Sequence, residues 1–455
     1  MSNFQPFAEK MTAEGLPDVA IRTFAYYYEQ LAAGATGLIP ESEIEPVASL
    51  PDADQLDEQL ADVGQQILNQ TVLMKLNGGL GTSMGLSKAK ALLPVRDGLS
   101  FLDIIAKQAQ LSAVPLVLMN SFNTQADSLA TLANYPDLGT EIPLDFLQHK
   151  VPKITQGDLT PASYTADPTL EWCPPGHGDI YTALVTSGML EQLLAKGYKY
   201  VFVSNADNLG AVMDTKILGY FAQNDLPFMM EVADRTAADK KGGHLAKRPD
   251  GQLILRESAQ CPEEDTPAFQ DITRHKYFNT NNLWLNLVAL QKVLAEKDGI
   301  LGLPMIRNSK TVNPRDGATT PVYQLETAMG SAIAVFAGAG AIRVPRTRFA
   351  PVKKTNDLLA VRSDAYIMTE DFRVILNPAR QGSQVVVDLD SSIYKLIDQM
   401  EARFPHGAPS LLKCTKLTVN GDVKFGRGIT ITGDVTITNE QSEQMTLAEN
   451  SELSS

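Results

Sequence analysis

The pattern of apolar and polar positions divides the chain into a helical start, a long alternating middle and a short repetitive end. Near the N-terminus, apolar residues recur at helical spacing at Ile21, Phe24, Tyr28 and Leu31, as expected for one face of an amphipathic helix. We therefore expect residues 1–70 to form a helical segment that packs on the domain after it.

Residues 71–360 alternate apolar runs of strand length with helical patterns. Such alternation is typical of a mainly parallel sheet covered on both faces by helices. The predicted strands are Thr71–Leu76, Leu116–Asn120, Tyr200–Ser204, Phe228–Val232, Leu253–Leu255 and Tyr277–Asn279. The predicted helices are Phe101–Gln110, Thr124–Ala133, Gly178–Ala195 and Asn286–Leu294. Ligands of such sheets bind beyond the carboxyl ends of the strands, so the polar motifs that follow these strands are expected on one rim.

The sequence pattern changes after residue 360 and again after residue 410. Residues 361–410 read as a connecting helical region, and residues 411–455 contain segments that alternate strictly between apolar and polar positions. Within the second part, the segment 417–423 is echoed twelve residues later by the segment 429–435. A repeat of two hexapeptides is typical of a β-solenoid, although one ordinary β-hairpin gives a similar pattern. Two copies cannot cover their own ends, so a solenoid here would stack on another part of the chain.

A glycine-rich loop joins the first predicted strand to two lysines. Residues 77–85 read Asn-Gly-Gly-Leu-Gly-Thr-Ser-Met-Gly, and residues 86–90 read Leu-Ser-Lys-Ala-Lys. Glycines let backbone N–H groups turn toward a phosphate, and a lysine beyond them adds positive charge. A tight surface turn would look similar. The spacing matches neither a Walker A loop nor a dinucleotide-binding Gly-x-Gly-x-x-Gly loop.

Two further motifs carry an acid and an imidazole. Asp207 follows the apolar run 200–204, where a carboxylate suits Mg²⁺ bound mainly by substrate phosphates but equally suits a turn or a helix cap. His177 lies in a glycine-flanked loop, and a lone loop histidine is more often structural.

The remaining candidate ligand-binding residues are two asparagines and two lysines. Asn279 and Asn281 follow an aromatic strand, and their amides are suited to sugar hydroxyls or to Asx turns. Lys353 and Lys354 form a basic pair, which is either a phosphate contact or a solvated face. On a strand the two side chains would point to opposite faces.

Net charge and cysteine content limit the partners and the compartment that can be expected for the protein. The chain has 455 residues and a formal net charge of −14, which argues against non-specific binding of nucleic acid or an anionic membrane. Cys173, Cys261 and Cys414 lie far apart without a Cys-x-x-Cys pair, and no apolar signal core begins the chain. We therefore expect a cytoplasmic protein whose anion site is made basic by a few local side chains.

Six motifs, in order along the chain, resemble those of the eukaryotic-type UTP–glucose-1-phosphate uridylyltransferases, or UDP-glucose pyrophosphorylases. They are Leu-Asn-Gly-Gly-Leu-Gly-Thr-Ser-Met-Gly at 76–85, Pro-Pro-Gly-His-Gly-Asp at 174–179, Ser-Asn-Ala-Asp-Asn-Leu-Gly at 204–210, Asn-Thr-Asn-Asn-Leu-Trp at 279–284, Gln-Leu-Glu-Thr-Ala-Met-Gly at 324–330 and Pro-Val-Lys at 351–353. One stretch departs from the family, which usually has Cys-Lys-Gly-Pro-Lys where this chain has residues 86–90. Only the final lysine, Lys90, is kept.

The resemblance implies a fold and a reaction. It implies a Rossmann-like, GT-A-like nucleotidyltransferase domain at 71–360 and a short left-handed parallel β-helix at 411–455, through which copies of the chain are expected to associate. The implied reaction joins UTP and α-D-glucose 1-phosphate into UDP-glucose and pyrophosphate, with Mg²⁺ as cofactor. The sugar phosphate attacks directly, so no covalent enzyme intermediate is needed.

The resemblance also assigns residues. The implied catalytic residues are Lys90, Asp207 and Lys353, with Asp207 as the Mg²⁺ ligand. The implied nucleotide-binding residues are Leu76, Asn77, Gly78, Gly79, Lys90, Gln148 and Gly176. The implied sugar-phosphate-binding residues are His177, Asn205, Gly243, Glu257, Asn279, Asn281 and Lys353.

Three other functions remain open from the sequence. A related pyrophosphorylase could use N-acetylglucosamine 1-phosphate or a broad set of sugar phosphates. A nicotinamide-dependent oxidoreductase is disfavoured by the loop spacing. A non-catalytic sugar-nucleotide-binding or assembly protein could lose Lys90, Asp207 and Lys353, and all three are present.

Overall fold

The computed structural model describes residues 4–138 and 141–454, so the outermost residues of the predicted terminal segments lie outside it. The N-terminal elements are α1 (Gln5–Ala13), α2 (Asp18–Ala32), β1 (Glu45–Pro46) and α3 (Gln59–Gln66). Helix α2 buries Phe24, Tyr28 and Leu31 in a cluster that also contains Val151 and Met305. The predicted apolar face thus packs on the middle of the chain.

The middle of the chain forms an α/β unit. Its strands are β2 (Thr71–Asn77), β3 (Pro94–Arg96), β4 (Leu99–Ser100), β5 (Leu116–Asn120), β6 (Asp145–Leu147), β7 (Val151–Pro152), β8 (Ile154–Thr155), β9 (Trp172–Cys173), β10 (Tyr200–Asn205), β11 (Phe228–Asp234), β12 (His244–Lys247), β13 (Leu253–Arg256), β14 (Tyr277–Asn286), β15 (Met305–Thr311), β16 (Pro321–Thr327) and β17 (Gly340–Arg343). Its helices are α4 (Phe101–Ser112), α5 (Gln125–Leu132), α6 (Ile180–Thr186), α7 (Met189–Ala195), α8 (Thr215–Gln223), α9 (Thr266–Phe269), α10 (Leu287–Glu296) and α11 (Thr355–Arg362). The helix predicted over 178–195 is two helices, because the chain breaks at Ser187–Gly188.

Within the described part of the chain, ten strands form one mixed sheet. Its main path is β1-β12-β14-β10-β2-β5-β6, with β11 paired to β14 and β17, and β13 paired to β12. Strands β10, β2, β5 and β6 are parallel neighbours, and Asn205 pairs with Leu76 while Asn77 pairs with Asn120. This register places the carboxyl ends of the four strands side by side, as predicted for the polar rim.

The other half of the sheet is mostly antiparallel. Strand β14 runs antiparallel to β10, β11 and β12, so the prediction of a mainly parallel sheet is right only for the half that carries the glycine loop. The sequence also predicted only the first three residues of β14, because the polar run Asn279–Asn282 hides the strand. That run contains a bulge, where the pairing register shifts between Glu231 and Val232.

The last part of the chain stacks parallel strands. Its elements are β18 (Tyr366–Met368), β19 (Val374–Leu376), β20 (Val386–Leu389), α12 (Ser391–Tyr394), α13 (Ile397–Arg403), β21 (Ser410–Asn420), β22 (Val423–Phe425), β23 (Thr430–Thr438), β24 (Met445–Leu447) and β25 (Glu452–Ser454). Strands β20, β21, β23 and β25 pair in parallel in that order, as do β22 and β24. Parallel stacking excludes the single hairpin.

The twelve-residue echo is not the structural repeat. Leu417 pairs with Val435, which lies 18 residues further on, and its sequence echo is Ile429. The apolar side chains of these strands belong to one buried cluster that continues through Tyr394 to Phe101 in the middle of the chain. The stack is therefore covered by the rest of the protein, as its short length requires.

No helix within residues 4–138 and 141–454 combines the length and the apolar character that crossing a membrane requires.

A buried polar cluster fastens the N-terminal segment to the edge of the sheet. The Glu41 carboxylate accepts hydrogen bonds from Arg256 Nη1 and Arg274 Nε, each at 2.7 Å, and lies 2.9 Å from His275 Nε2. The His275 ring stacks on His244, with 3.8 Å between ring centres, and both side chains are fully buried. Burial lowers the pKa of both imidazoles.

We expect this stacked pair to make the fold acid-sensitive. Each imidazole has a folded-state pKa below its unfolded value of about 6.5, so the unfolded chain binds more protons below that pH and stability falls as the pH decreases. The loss is about 1.4 kcal/mol per pH unit for each imidazole kept neutral. Urea unfolding between pH 7.5 and 5.5 measures this slope. His244→Phe should reduce it, because the ring cannot titrate, whereas the exposed control His406→Phe should leave it unchanged. An unchanged slope in His244→Phe would contradict the assignment.

Candidate functional site

Most of the predicted site residues line one cleft of about 330 Å³ at the carboxyl ends of β2, β6 and β10. They are Leu76, Asn77, Gly78, Gly79, Lys90, Gln148, Gly176, His177, Asn205 and Asp207. These residues come from five separate stretches of the sequence. The parallel register of the strands brings the stretches together.

The glycine loop folds back on itself and places Lys90 in the cleft. Gly81 has φ +66°, a left-handed conformation that favours glycine, and a Cβ at this position would lie 2.8 Å from Leu86 Cδ1. The Lys90 N–H donates to the Gly79 carbonyl at 3.0 Å. Lys88 is exposed. Of the two lysines after the loop, Lys90 is therefore the one that the loop backbone holds in the cleft.

Lys90 and Asp207 form an ion pair across the cleft. Lys90 Nζ lies 2.6 Å from Asp207 Oδ2, and both side chains are half-buried. The carboxylate of Asp207 and the ammonium group of Lys90 are thus adjacent opposite charges within the cleft.

Gln148 lines the cleft beside the glycine loop. Its backbone N–H donates to the Asn120 carbonyl at 2.8 Å, which extends the pairing of β5 and β6 by one residue. A Cβ at Gly78 would lie 3.0 Å from Gln148 Oε1, whereas Gly79 faces open space. The Gln148 amide therefore lies directly against the loop backbone, and any larger residue at position 78 would displace it.

The loop with Gly176 and His177 is fixed by strand β16. A Cβ at Gly176 would clash with the carbonyl oxygen of Thr327. His177 Nδ1 accepts a hydrogen bond from the Met329 N–H at 2.9 Å, so the ring proton is on Nε2. Burial lowers the pKa of His177 to about 4. The neutral imidazole therefore offers an Nε2–H donor.

A second group of predicted residues lies beside β14. A Cβ at Gly243 would clash with the Glu257 carboxylate. Burial raises the pKa of Glu257, while its hydrogen bond with Asn279 and the charge of Lys353 act in the opposite direction. Asn279 Nδ2 donates to Asn281 Oδ1 at 2.7 Å. Gly243, Glu257, Asn279 and Asn281 thus form one polar group, and the charge of the exposed Lys353 acts on Glu257.

Lys353 and Lys354 are not on a strand, so the expectation of opposite strand faces is wrong. They precede α11, and both backbone N–H groups donate to Asp357 Oδ2, at 2.8 and 2.9 Å. Lys353 Nζ lies 5.7 Å from the centre of the Phe349 ring. The bridge between Pro351 and Asn208 does not continue into a strand, because the capping box of α11 takes up the N–H groups of both lysines.

Two short connections join the second group to the cleft. Met329, which donates to His177, precedes Gly330, where a Cβ would lie 3.0 Å from Asn279 Nδ2. At the other end, the Val352 N–H donates to the Asp207 carbonyl at 3.1 Å. The two groups are thus adjoining parts of one site.

A buried polar layer lies beneath the site, and sequence reasoning missed it. Lys75 Nζ donates to Ser204 Oγ at 2.7 Å and to the Ala211 carbonyl at 2.8 Å, and burial lowers its pKa to about 7. Glu231 and Arg348 form a buried pair at 2.6 Å. The sequence does contain a sign of this layer. A charged residue lies inside each of two apolar strands, Lys75 in β2 and Glu231 in β11.

The donor set at Asp207 fits a magnesium ion held mainly by phosphates. Residues 4–138 and 141–454 contain no group of three or more His, Cys, Asp or Glu side chains arranged for a metal. Mg²⁺ usually takes only one or two carboxylates in phosphate sites, and Asp207 supplies one that is half-buried and open to the cleft.

Comparison with known proteins gives the family. The family model of UTP–glucose-1-phosphate uridylyltransferase matches residues 21–432. The chain belongs to the UTP–glucose-1-phosphate uridylyltransferase family. Potato UTP–glucose-1-phosphate uridylyltransferase is 44% identical over 381 residues, which are 82% of this chain and 78% of the potato protein. The Saccharomyces cerevisiae enzyme is 41% identical over 377 residues, 81% of this chain and 74% of the yeast protein.

Solved structures of the family have the same architecture. A mutant of UDP-glucose pyrophosphorylase from Leishmania major, in complex with UDP-glucose, superposes with a TM-score of 0.93 and 46% identity. The match covers 100% of this chain and 98% of the Leishmania chain. The Trypanosoma brucei protein superposes with a TM-score of 0.87 and 46% identity, covering 100% of both chains. The mixed α/β fold is therefore that of the uridylyltransferase family.

We expect His177 to stay neutral from pH 5.5 to 8.5 and to keep its proton on Nε2, because Met329 N–H occupies Nδ1 and burial depresses its pKa. Nitrogen-15 NMR of the five histidines reads the protonation state of each ring, and the resonance missing from His177→Gln identifies His177. A His177 signal that titrates near 6.5, or an Nδ1–H tautomer, would contradict this geometry.

Proposed function

We propose that the chain transfers the uridylyl group of UTP to α-D-glucose 1-phosphate and releases pyrophosphate. The observation that carries this proposal is the single cleft in which the glycine loop, the Lys90–Asp207 pair, Gln148 and His177 meet. The Leishmania relative whose structure contains UDP-glucose supports the choice of product.

We assign the nucleotide to the side of the cleft formed by Leu76, Asn77, Gly78, Gly79, Gln148 and Gly176. The open space in front of Gly79 lets a phosphate approach the backbone closely. The Gln148 amide has a donor and an acceptor to offer to one edge of uracil. The half-buried ammonium of Lys90 would lie against the triphosphate.

The glucosyl phosphate is assigned to the neighbouring group of amides. At the bulge of β14, Asn281 has a left-handed backbone with φ +59°. Its side chain accepts a hydrogen bond from Asn279, and Asn279 also hydrogen-bonds Glu257. Amides and a carboxylate together can hold several sugar hydroxyls. Asn205 and His177 line the same cleft, and we assign the sugar phosphate to them.

The chemistry is charge stabilisation around an in-line displacement. Asp207 would hold Mg²⁺, which would supply positive charge for the phosphate oxygens during the displacement. Lys90 and Lys353 supply the remaining positive charge in a chain whose net charge is −14. A preorganised donor of this kind contributes roughly 10²–10³ in rate.

The phosphate oxygen of glucose 1-phosphate acts as the nucleophile in this proposal. A covalent uridylyl-histidine would need an unprotonated ring nitrogen facing the nucleotide. In His177, Nδ1 accepts from Met329 and Nε2 carries the proton, so the imidazole is arranged to donate. The direct attack on the α-phosphorus needs no nucleophilic side chain.

We further propose the domain division 1–70, 71–360, 361–410 and 411–455, and a left-handed coil for the C-terminal strands. The 18-residue spacing between Leu417 and Val435 fits a coil of three hexapeptides. Strands β20 and β25 are the two edge strands of this sheet. We propose that copies of the chain associate through these edges.

Pyrophosphate release tests the function directly. With UTP and Mg²⁺, we expect turnover with glucose 1-phosphate to exceed that with N-acetylglucosamine 1-phosphate or galactose 1-phosphate by at least about tenfold, the discrimination that one or two polar sugar contacts provide. Asp207→Ala is the inactive control. Equal rates with all three sugars would favour the broad-specificity alternative, and no release with any would reject the proposal.

Lys353 and Lys354 make a matched pair of variants. Lys353→Ala should lower kcat by roughly 10²–10³, because this lysine is close enough to Glu257 to shift its pKa. Lys354→Ala should stay within about threefold of the unmodified enzyme, because Lys354 is also exposed but only Lys353 acts on Glu257, and other exposed charges are screened by solvent. Steady-state kinetics at saturating UTP and one ionic strength compare them. Greater damage in Lys354→Ala would overturn the assignment.

A further inference from the structure

Asn208 uses all the hydrogen-bonding capacity of its buried amide. Its side chain is 2% exposed. Oδ1 accepts from the N–H groups of Gly210 at 3.2 Å and Ala350 at 2.9 Å. Nδ2 donates to Asn282 Oδ1 at 3.2 Å and to the Arg348 carbonyl at 3.1 Å. A primary amide has two donors and two acceptor lone pairs, so every one of them is occupied.

The partners of Asn208 lie in different parts of the site. Two of them belong to the segment 346–354, which ends just after Lys353. A third is on β14 beside the bulge that holds the sugar-facing amides. Asn208 itself directly follows Asp207. One side chain therefore connects the carboxylate loop, the lysine segment and the sugar strand.

A buried network holds the partners of Asn208 in place. Arg348 donates to the Glu231 carboxylate from Nε at 2.8 Å and from Nη2 at 2.6 Å. Asn282 Nδ2 and Trp284 Nε1 donate to the same carboxylate, at 3.0 and 2.9 Å. Glu231 and Asn282 are fully buried. A satisfied network in a low-dielectric interior holds its members in one arrangement.

We propose that Asn208 is a positioning residue that sets the separation between the Asp207 carboxylate and the Lys353 ammonium group. This inference rests on the proposed roles of those two residues. Two backbone contacts also join these segments, namely the Val352 N–H to Asp207 carbonyl bond and the bridge between Asn208 and Pro351. The Asn208 amide adds side-chain hydrogen bonds that reach from the Asp207 loop to Arg348, Ala350 and Asn282. A displacement of about 1 Å in a catalytic group can cost 10²-fold in rate.

Two variants separate hydrogen bonding from volume. Asn208→Leu fills the same space without hydrogen bonds, and Asn208→Ser keeps a hydroxyl for its own loop but is too short for the segment 346–354. We expect kcat to fall about 10–100-fold in both, with the KM values for UTP and glucose 1-phosphate within about threefold. If Asn208→Leu had the kcat of the unmodified enzyme, Asn208 would only fill space, and the proposal would be wrong.

The control is Asn439→Ala, which removes a similarly buried amide far from the site. Asn439 Nδ2 donates to the carbonyls of Asp422 and Glu443, and its Oδ1 accepts from the Gln441 N–H. This variant should lower the thermal unfolding midpoint and leave kcat unchanged. A fall in kcat matching that of Asn208→Ser would show that general destabilisation explains both.

A double variant tests whether Asn208 acts through Lys353. In the Lys353→Ala background, we expect Asn208→Ser to lower kcat by less than about threefold, because the group that it positions is gone. Fully multiplicative effects would mean that the two residues act independently, and would overturn the proposal.

Hydrogen exchange gives a readout that does not depend on activity. Asn208→Ser should speed amide exchange in the segments 203–210 and 346–354, and Asn439→Ala should speed it only within the C-terminal strands. Unchanged exchange in 346–354 would reject the positioning role even for an active enzyme. Conversely, if the unmodified chain releases no pyrophosphate while exchange changes as expected, the proposed function fails and the structural connection stands.

Discussion

The register between β2 and β10 is the constraint on which the site depends. Asn205 pairs with Leu76, so the glycine loop that leaves one strand and the Asp207 loop that leaves the other start from the same edge of the sheet. A shift by one residue would turn every side chain of a strand to the opposite face. Lys90 could then not reach Asp207, and the buried Lys75 would lose its bond to Ser204. The chemistry at the rim therefore rests on the pairing of two largely apolar strands.

The second support is the buried charge beneath that rim. Burying Glu231 and Arg348 is costly unless each is paired and hydrogen-bonded, and removing one partner of such a pair typically costs about 3–5 kcal/mol. Here the carboxylate accepts from Arg348, Asn282 and Trp284, so it is well satisfied. This arrangement ties β11 and β14 to the segment that carries Lys353. In this acidic protein, the network thereby holds a few cationic side chains in fixed positions, where they make the local electrostatic potential positive.

Local patterns in the sequence predicted the parallel half of the sheet and pointed to the glycine loop and Asp207, whereas other residues of the cleft came from the resemblance to the family. Apolar runs of strand length end at polar motifs, and the resemblance to the family supplied Gln148, Gly243 and Glu257, which no local pattern marks. The antiparallel course of β14 could not be predicted, since its polar run reads as a loop and its pairing is decided by distant strands. The same limit applies to Lys353 and Lys354. They lie between Pro351 and the start of α11 and not on a strand, so their side chains do not alternate between two faces. The twelve-residue echo was real in sequence, but the coil is set by tertiary pairing at 18 residues.

In the proposed mechanism, the sugar phosphate attacks UTP directly while His177 only donates a hydrogen bond. The stereochemistry at the α-phosphorus distinguishes this mechanism from a covalent one, using UTP with sulfur in place of one non-bridging α-oxygen in a single configuration. One in-line displacement inverts that centre, and two displacements through an enzyme-bound uridylyl group restore it. We expect the UDP-glucose thio analogue to show inversion. Retention would require a covalent intermediate and would contradict direct attack.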